Sequence, residues 1–198
     1  MADLSTRADL STAVDLSGSR QQQVIATSPI IRQLPPASRF VLRGGPQALV
    51  AAVGALGLPR SDSTCHAVRN AGRAALWLGP DERLLLGPAD AAVEMGDSLE
   101  RALAGMPHSL VEVSHAQTAF EVSGARAAEA LNTGCPLDLD PGSFPVDMCT
   151  RTVFAKAQIV LWRTGPEMFR VETARSFAPY VTKILARAAS ADLAEATA

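Results

Sequence analysis

The spacing of apolar and polar positions changes period repeatedly along the chain, and each change marks an element. Residues 39–43 read as a strand. Gly44-Gly45-Pro46 turns the chain, with proline at the start of a helix over 47–56 that Gly57 and Pro59 stop. Strands are predicted near 65–69, 74–78 and 83–86. A helix over about 89–104 opens after Pro88 and stops at Gly105. The scheme then begins again: a strand at 120–122, a turn at Ser123-Gly124, a helix over 125–131 ended by Gly134 and Pro136, and strands near 151–155, 158–163 and 169–172. A last helix over about 177–189 carries Val181, Ile184, Leu185 and Ala188, the spacing of one buried face. Phe169, Arg170, Val171 and Glu172 alternate apolar and charged, the pattern of a half-buried antiparallel strand.

The two halves share residues as well as plan. Phe40 matches Phe120, Cys65 matches Cys149, Trp77 matches Trp162, and Gly79-Pro80 matches Gly165-Pro166, at offsets of 80 to 86. The expectation is an α+β protein built from a duplicated β-α-β-β-β-α unit, with helices on one face of each sheet and ferredoxin-like packing. Three segments follow: an extended N-terminal tail at 1–36, a first α+β lobe at 37–108 and a second at 109–198. The tail has its own six-residue period, with Asp-Leu-Ser recurring at 3–5, 9–11 and 15–17. Six is a multiple of two and not of 3.6, so its leucines share a face only in an extended chain.

A chain of 198 residues with 47% hydrophobic and 19% charged positions has a globular core. Its longest apolar run, 48–58, is too short to span a bilayer. The first thirty residues lack the basic-then-apolar layout of a secretion signal, and the expected location is the cytoplasm. Net charge is −2, which gives no global argument for nucleic-acid binding. The charge is in blocks, however: +6 over 16–80, −9 over 81–147 and +3 over 148–198. Sixteen of the 18 basic residues are arginine, the cation favoured in desolvated interface pairs.

Little in the pattern points to catalysis. Phosphate-binding glycine loops and a nucleophile elbow are missing from the sequence. Cys65, Cys135 and Cys149 form no C-x-x-C pair, and no two of His66, His108 and His115 have helix-face spacing. Cys65-His66 are neighbours on a predicted strand and point to opposite faces. Asp138 and Asp140, two apart in a loop between Pro136 and Pro141, are candidates for a cation or an acid role, and equally for a turn.

A set of short runs carries a resemblance. Val113-Ser114-His115, Asn132-Thr133-Gly134-Cys135-Pro136-Leu137-Asp138, Phe144-Pro145, Cys149-Thr150-Arg151-Thr152, Ala155-Lys156-Ala157, Ile159-Val160-Leu161-Trp162-Arg163 and Arg175-Ser176-Phe177 resemble the gamma subunit of heterotetrameric sarcosine oxidase, as does Trp77-Leu78-Gly79-Pro80-Asp81-Glu82. The resemblance covers about residues 37–190. It implies a fold similar to the folate-binding domain of aminomethyltransferases, and a non-catalytic structural subunit that binds no cofactor or metal itself. It further implies alpha, beta and delta partner subunits, with FAD, FMN, NAD and zinc held on those subunits. The implied complex converts sarcosine to glycine, forming hydrogen peroxide and 5,10-methylenetetrahydrofolate. Arg163, Arg170 and Arg175 are the candidate partner interface. The competing expectation is a stand-alone folate-binding or one-carbon transfer protein that uses Asp138 or Asp140. An RNA-modifying relative of the fold ranks last, because no basic stripe is visible.

Overall fold

The computed structural model describes residues 29–61 and 63–195. The hexad repeat of the N-terminal segment lies outside them. The elements, in chain order, are β1 (Ile30–Gln33), β2 (Ala37–Gly44), α1 (Pro46–Ala55), β3 (Ala67–Asn70), β4 (Arg73–Gly79), β5 (Glu82–Pro88), α2 (Ala92–Leu103), β6 (His108–Glu112), β7 (Gln117–Ser123), α3 (Ala127–Asn132), β8 (Cys149–Phe154), β9 (Ala157–Gly165), β10 (Met168–Ala174) and α4 (Ala178–Glu195). The predicted β-α-β-β-β-α unit is present twice, as β2 through α2 and as β7 through α4.

Both units are antiparallel five-stranded sheets, in the orders β3-β4-β5-β2-β6 and β1-β7-β10-β9-β8. The fifth strand of each comes from outside the repeat. β6 pairs with β2, so the lobe division expected between residues 108 and 109 falls within a strand of the first sheet. β1, assigned by the sequence pattern to the extended tail, pairs with β7 through Ile30↔Ser123 to Gln33↔Phe120 and completes the second sheet. The hairpin turns repeat as well. Ala71 and Ala155 carry φ of 46° and 52° at equivalent positions, between β3 and β4 and between β8 and β9. The β4–β5 and β9–β10 hairpins each carry a bulge beside their turn glycine, Gly79 or Gly165.

Helices α1 and α2 cover one face of the first sheet, where Phe40, Leu42, Ala75 and Leu85 meet Leu49, Ala52, Met95 and Leu99. Helices α3 and α4 and the loop after α3 cover the second sheet over Phe120, Ile159, Leu161 and Phe169. The remaining faces stack on each other: Ala74, Leu76, Leu84 and Leu86 pack on Cys149, Val160 and Trp162. The result is four layers, helix, sheet, sheet, helix. It explains why 74–78, 84–86 and 159–162 read as continuous apolar runs, because central strands buried on both faces have no polar face to show.

Stacking also changes two sequence readings. The charged positions of β10 do not face solvent: Glu172 is 2% exposed and Arg170 is half-buried, both turned into the space between the sheets. Trp77 and Trp162, matched in sequence, do not hold equivalent register positions, though both touch the inter-sheet layer. The register puts Trp77 opposite Arg83 and Arg163 opposite Phe169, so Trp77 is equivalent to Arg163 while Trp162 belongs to the inter-sheet layer.

β1 supplies a test of its register. Ile31 packs against the second core and Ile30 is 67% exposed. Ile31→Asp is expected to lower unfolding stability by about 1–2 kcal/mol in urea titrations, whereas Ile30→Asp changes it little.

Candidate functional site

The densest polar construction is the seam between the sheets. β2 sends Arg39, Val41 and Arg43 into it by strand alternation. Arg39 is 1% exposed and donates from Nε to Glu172 Oε2 at 2.8 Å and from Nη1 to the Ala37 carbonyl at 3.0 Å. Arg170, two residues before Glu172 on β10, donates to Glu172 Oε1 from Nε at 2.7 Å and from Nη2 at 2.6 Å. A second acid repeats the arrangement. Glu82 of β5 accepts from Arg43 of its own sheet at 2.8 Å and from Arg151 of the other sheet at 2.5 Å. Each carboxylate therefore sits between an arginine of its own sheet and one of the opposite sheet. The hydrogen bond from Arg151, with that from Arg43, holds the Glu82 carboxyl below the usual carboxylate range despite its burial.

Of the candidate interface arginines, Arg163 is a correction. Its side chain is 4% exposed and lies over the Phe169 ring, 4.9 Å from the centroid. It donates to the carbonyls of Leu139 at 3.1 Å, Phe144 at 2.7 Å and Pro166 at 2.6 and 3.2 Å. Packing the loop 133–148 over the second sheet leaves the Leu139 and Phe144 carbonyls without strand partners, and Arg163 satisfies them from inside together with the Pro166 carbonyl of the β9–β10 turn. Arg170 is engaged with Glu172, and Arg175 is exposed at the start of the last helical segment.

The Asp138–Asp140 pair is tied into its own loop. Asp138 Oδ1 accepts the Asp140 N–H at 3.0 Å and Oδ2 accepts the Ser143 hydroxyl at 2.8 Å; Asp140 Oδ1 accepts the Gly142 N–H at 2.8 Å. The Asp140 N–H, then the Ser143 hydroxyl, lower the Asp138 carboxyl from its ordinary value. These are turn contacts. Cys149 is fully buried, donates weakly to the Trp77 carbonyl at 3.5 Å, and has its thiol pushed up to about 12 by burial. Cys65 is not on a strand; it sits at φ 53° before β3, and its carbonyl accepts the Cys149 N–H at 2.8 Å across the seam. Among the described residues no three His, Cys, Asp or Glu side chains converge as a metal cage, and no helix is long and apolar enough to cross a membrane.

What sequence reasoning missed is the seam itself. Glu82 and Arg151 lie within the family-like runs without being singled out there, and Arg39 and Arg43 lie in none of them. The one available signal was a charged residue inside runs otherwise apolar enough to be buried on both faces.

Taken together, the stacked lobes and their ion-paired seam define a duplicated α+β sandwich of the aminomethyltransferase kind. The aminomethyltransferase T of the glycine cleavage system from Bartonella henselae shares this fold, with a TM-score of 0.63 at 12% identity over 84% of this chain and 47% of that one. Within that class the chain belongs to the sarcosine oxidase gamma subunit family, whose description matches residues 44–192. It is 33% identical over 191 residues to the sarcosine oxidase subunit gamma of Corynebacterium sp. (strain P-1), covering 94% of this chain and 92% of that one. The subunit gamma of Arthrobacter sp. is 33% identical over 172 residues, covering 84% and 83%. A chain of the heterotetrameric sarcosine oxidase from Corynebacterium sp. U-96, solved in complex with pyrrole 2-carboxylate, superimposes with a TM-score of 0.77 at 28% identity, over 91% of this chain and 94% of that one.

Two outcomes are expected at the seam. Glu172→Met leaves Arg39 buried without its carboxylate and costs about 3 kcal/mol in urea unfolding, and the double change Arg39→Met with Glu172→Met costs less than the sum of the two single changes. Because the folded-state Glu82 carboxyl is depressed, its contribution is fully present above the ordinary carboxylate range and is lost as pH falls through the folded value. Glu82→Gln is therefore less stable near neutral pH, and its stability, followed by urea unfolding at successive pH values, falls less steeply on acidification than that of the unsubstituted protein.

Proposed function

We propose that this chain is a non-catalytic structural subunit of a heterotetrameric sarcosine oxidase. That complex demethylates sarcosine to glycine, reduces oxygen to hydrogen peroxide and passes the one-carbon unit to tetrahydrofolate as 5,10-methylenetetrahydrofolate. The observation that carries the reading is the near full-length match, in sequence and in fold, to gamma subunits and to a chain of the heterotetramer. The flavins FAD and FMN, the NAD and the zinc belong in this reading to the alpha, beta and delta partners, and the assembly works in the cytoplasm. The part played by this chain is to cover and stiffen its flavin-bearing neighbours.

A two-sheet stack suits that part. Its central strands are buried on both faces, so the body is rigid, and its surface is left to the helices, the edge strands and the turns. At the start of the last helical segment, exposed Arg175 stands beside Phe177, which is 43% exposed and meets Tyr180 edge to face at 6.4 Å. An arginine next to a solvent-facing aromatic ring is the composition of an interface anchor. We assign this corner to a partner contact.

A tagged copy co-expressed with its genomic neighbours is expected to elute from size exclusion with flavin absorbance, in a complex several times its own 20.7 kDa. Elution alone and colourless near that mass is the outcome that sinks the reading. In the same experiment Arg175→Glu is expected to reduce the co-eluting fraction without lowering the thermal stability of the isolated chain.

A further inference from the structure

The two β-hairpins that end in Gly-Pro differ in one respect. At the last strand pair facing the helices, each carries a cation against a ring, but on exchanged strands: Trp77 of β4 opposite Arg83 of β5 in the first lobe, Arg163 of β9 opposite Phe169 of β10 in the second. Arg83 lies 5.9 Å from the Trp77 centroid and Arg163 4.9 Å from that of Phe169. In the second lobe the loop 133–148 folds over this pair, inserting Leu139 and Phe144, and the Arg163 guanidinium is taken up on the loop and turn carbonyls. In the first lobe the corresponding connection, 56–66, is shorter. What remains is a pocket of about 220 Å³ between α1, β3 and the hairpin.

The lining of this pocket combines apolar Leu49, Val53 and Val68 with Trp77 and with the polar side chains of His66, Arg60 and Arg83. Arg83 is half-buried, and burial lowers its guanidinium from its ordinary value. Its two hydrogen bonds, to the carbonyls of Gly79 at 2.7 Å and Glu82 at 2.9 Å, both leave from Nη1. No described carboxylate pairs with it, since the neighbouring Glu82 is held by Arg43 and Arg151. The Nε–Nη2 edge is thus a free two-donor fork, the shape that accepts a carboxylate bidentately.

We propose that this pocket is a binding site for a small planar carboxylate, its ring against Trp77 and the aliphatic wall and its carboxylate on the free edge of Arg83. The volume suits a single ring and lies below the range of larger ligands. A flat apolar body matches the Trp77 face, and a negative charge offsets the desolvation of an unpaired cation. A neutral ring leaves that cation uncompensated, so charge as well as shape discriminates.

The test uses benzoate as probe and benzamide as its uncharged counterpart, titrated by calorimetry into the full-length protein, both alone and in the assembly in which it purifies. The expected result is benzoate binding in both forms, with benzamide at least about tenfold weaker. Arg83→Met is expected to weaken benzoate by a similar factor, and Arg83→Lys by less. Val50→Trp, at a pocket-lining position already 41% exposed, fills the space without touching the core and is expected to abolish binding. No benzoate binding to the unsubstituted chain overturns the proposal. So does binding that survives both Arg83→Met and Val50→Trp, which places the probe elsewhere. Binding to the isolated chain that vanishes in the assembly also overturns it, and assigns the pocket to an acidic segment of a partner. The titration of the isolated chain stands whether or not an assembly forms.

Discussion

Stacking two sheets through their second faces puts charged side chains where water does not reach, and the way this fold meets that demand governs the rest. Apolar burial drives the sheets together without direction. Glu172 and Glu82 add direction, because each carboxylate is acceptable in the seam only with an arginine from the opposite sheet in contact. Removal of water from either acid is thus coupled to the position of the other lobe. The lobes share an interior with fixed polar joints at Arg39–Glu172 and Arg151–Glu82, and they do not behave as two domains on a linker.

Most of the fold is legible in the residues, and the reasons are local. Gly and Pro punctuate the helices, period changes mark the strands, and the recurrence of Gly-Pro turns shows the duplication. What escapes is whatever depends on residues far apart in the chain. The alternation in Phe169-Arg170-Val171-Glu172 is real, but alternation reports two different faces and cannot say that both are covered. Arg163 reads as a surface cation because arginine usually is one. Its burial follows from the carbonyls of a loop packed on top of it, which no local pattern announces. β1 is four residues whose two isoleucines suit a strand, but nothing local says which strand they pair with; that comes from β7.

The family assignment and the seam bear on each other. A structural subunit needs a body that does not deform when a neighbour presses on it, and strands covered on both faces supply that. The duplication gives the two halves the same frame with different contents: a buried cation–ring pair beside a loop in the second lobe, and a half-buried pair on exchanged strands beneath α1 in the first. Divergence after duplication shows here as a change in loop length and an exchange of residues across one strand pair, while the sheets stay as they are.

The strand β1 sets an order on biosynthesis. Its partner β7 lies beyond the whole first lobe, since Ile30 pairs with Ser123. As the chain leaves the ribosome from its N-terminus, β2 through β6 can assemble from contiguous sequence, with β6 closing the first sheet. The segment carrying β1 emerges before the first lobe and must stay unpaired until β7 has been made. Closing that sheet encloses the first lobe in a long loop, the kind of non-local contact that forms late. A strand synthesised before the whole first lobe is among the last to be locked into a sheet.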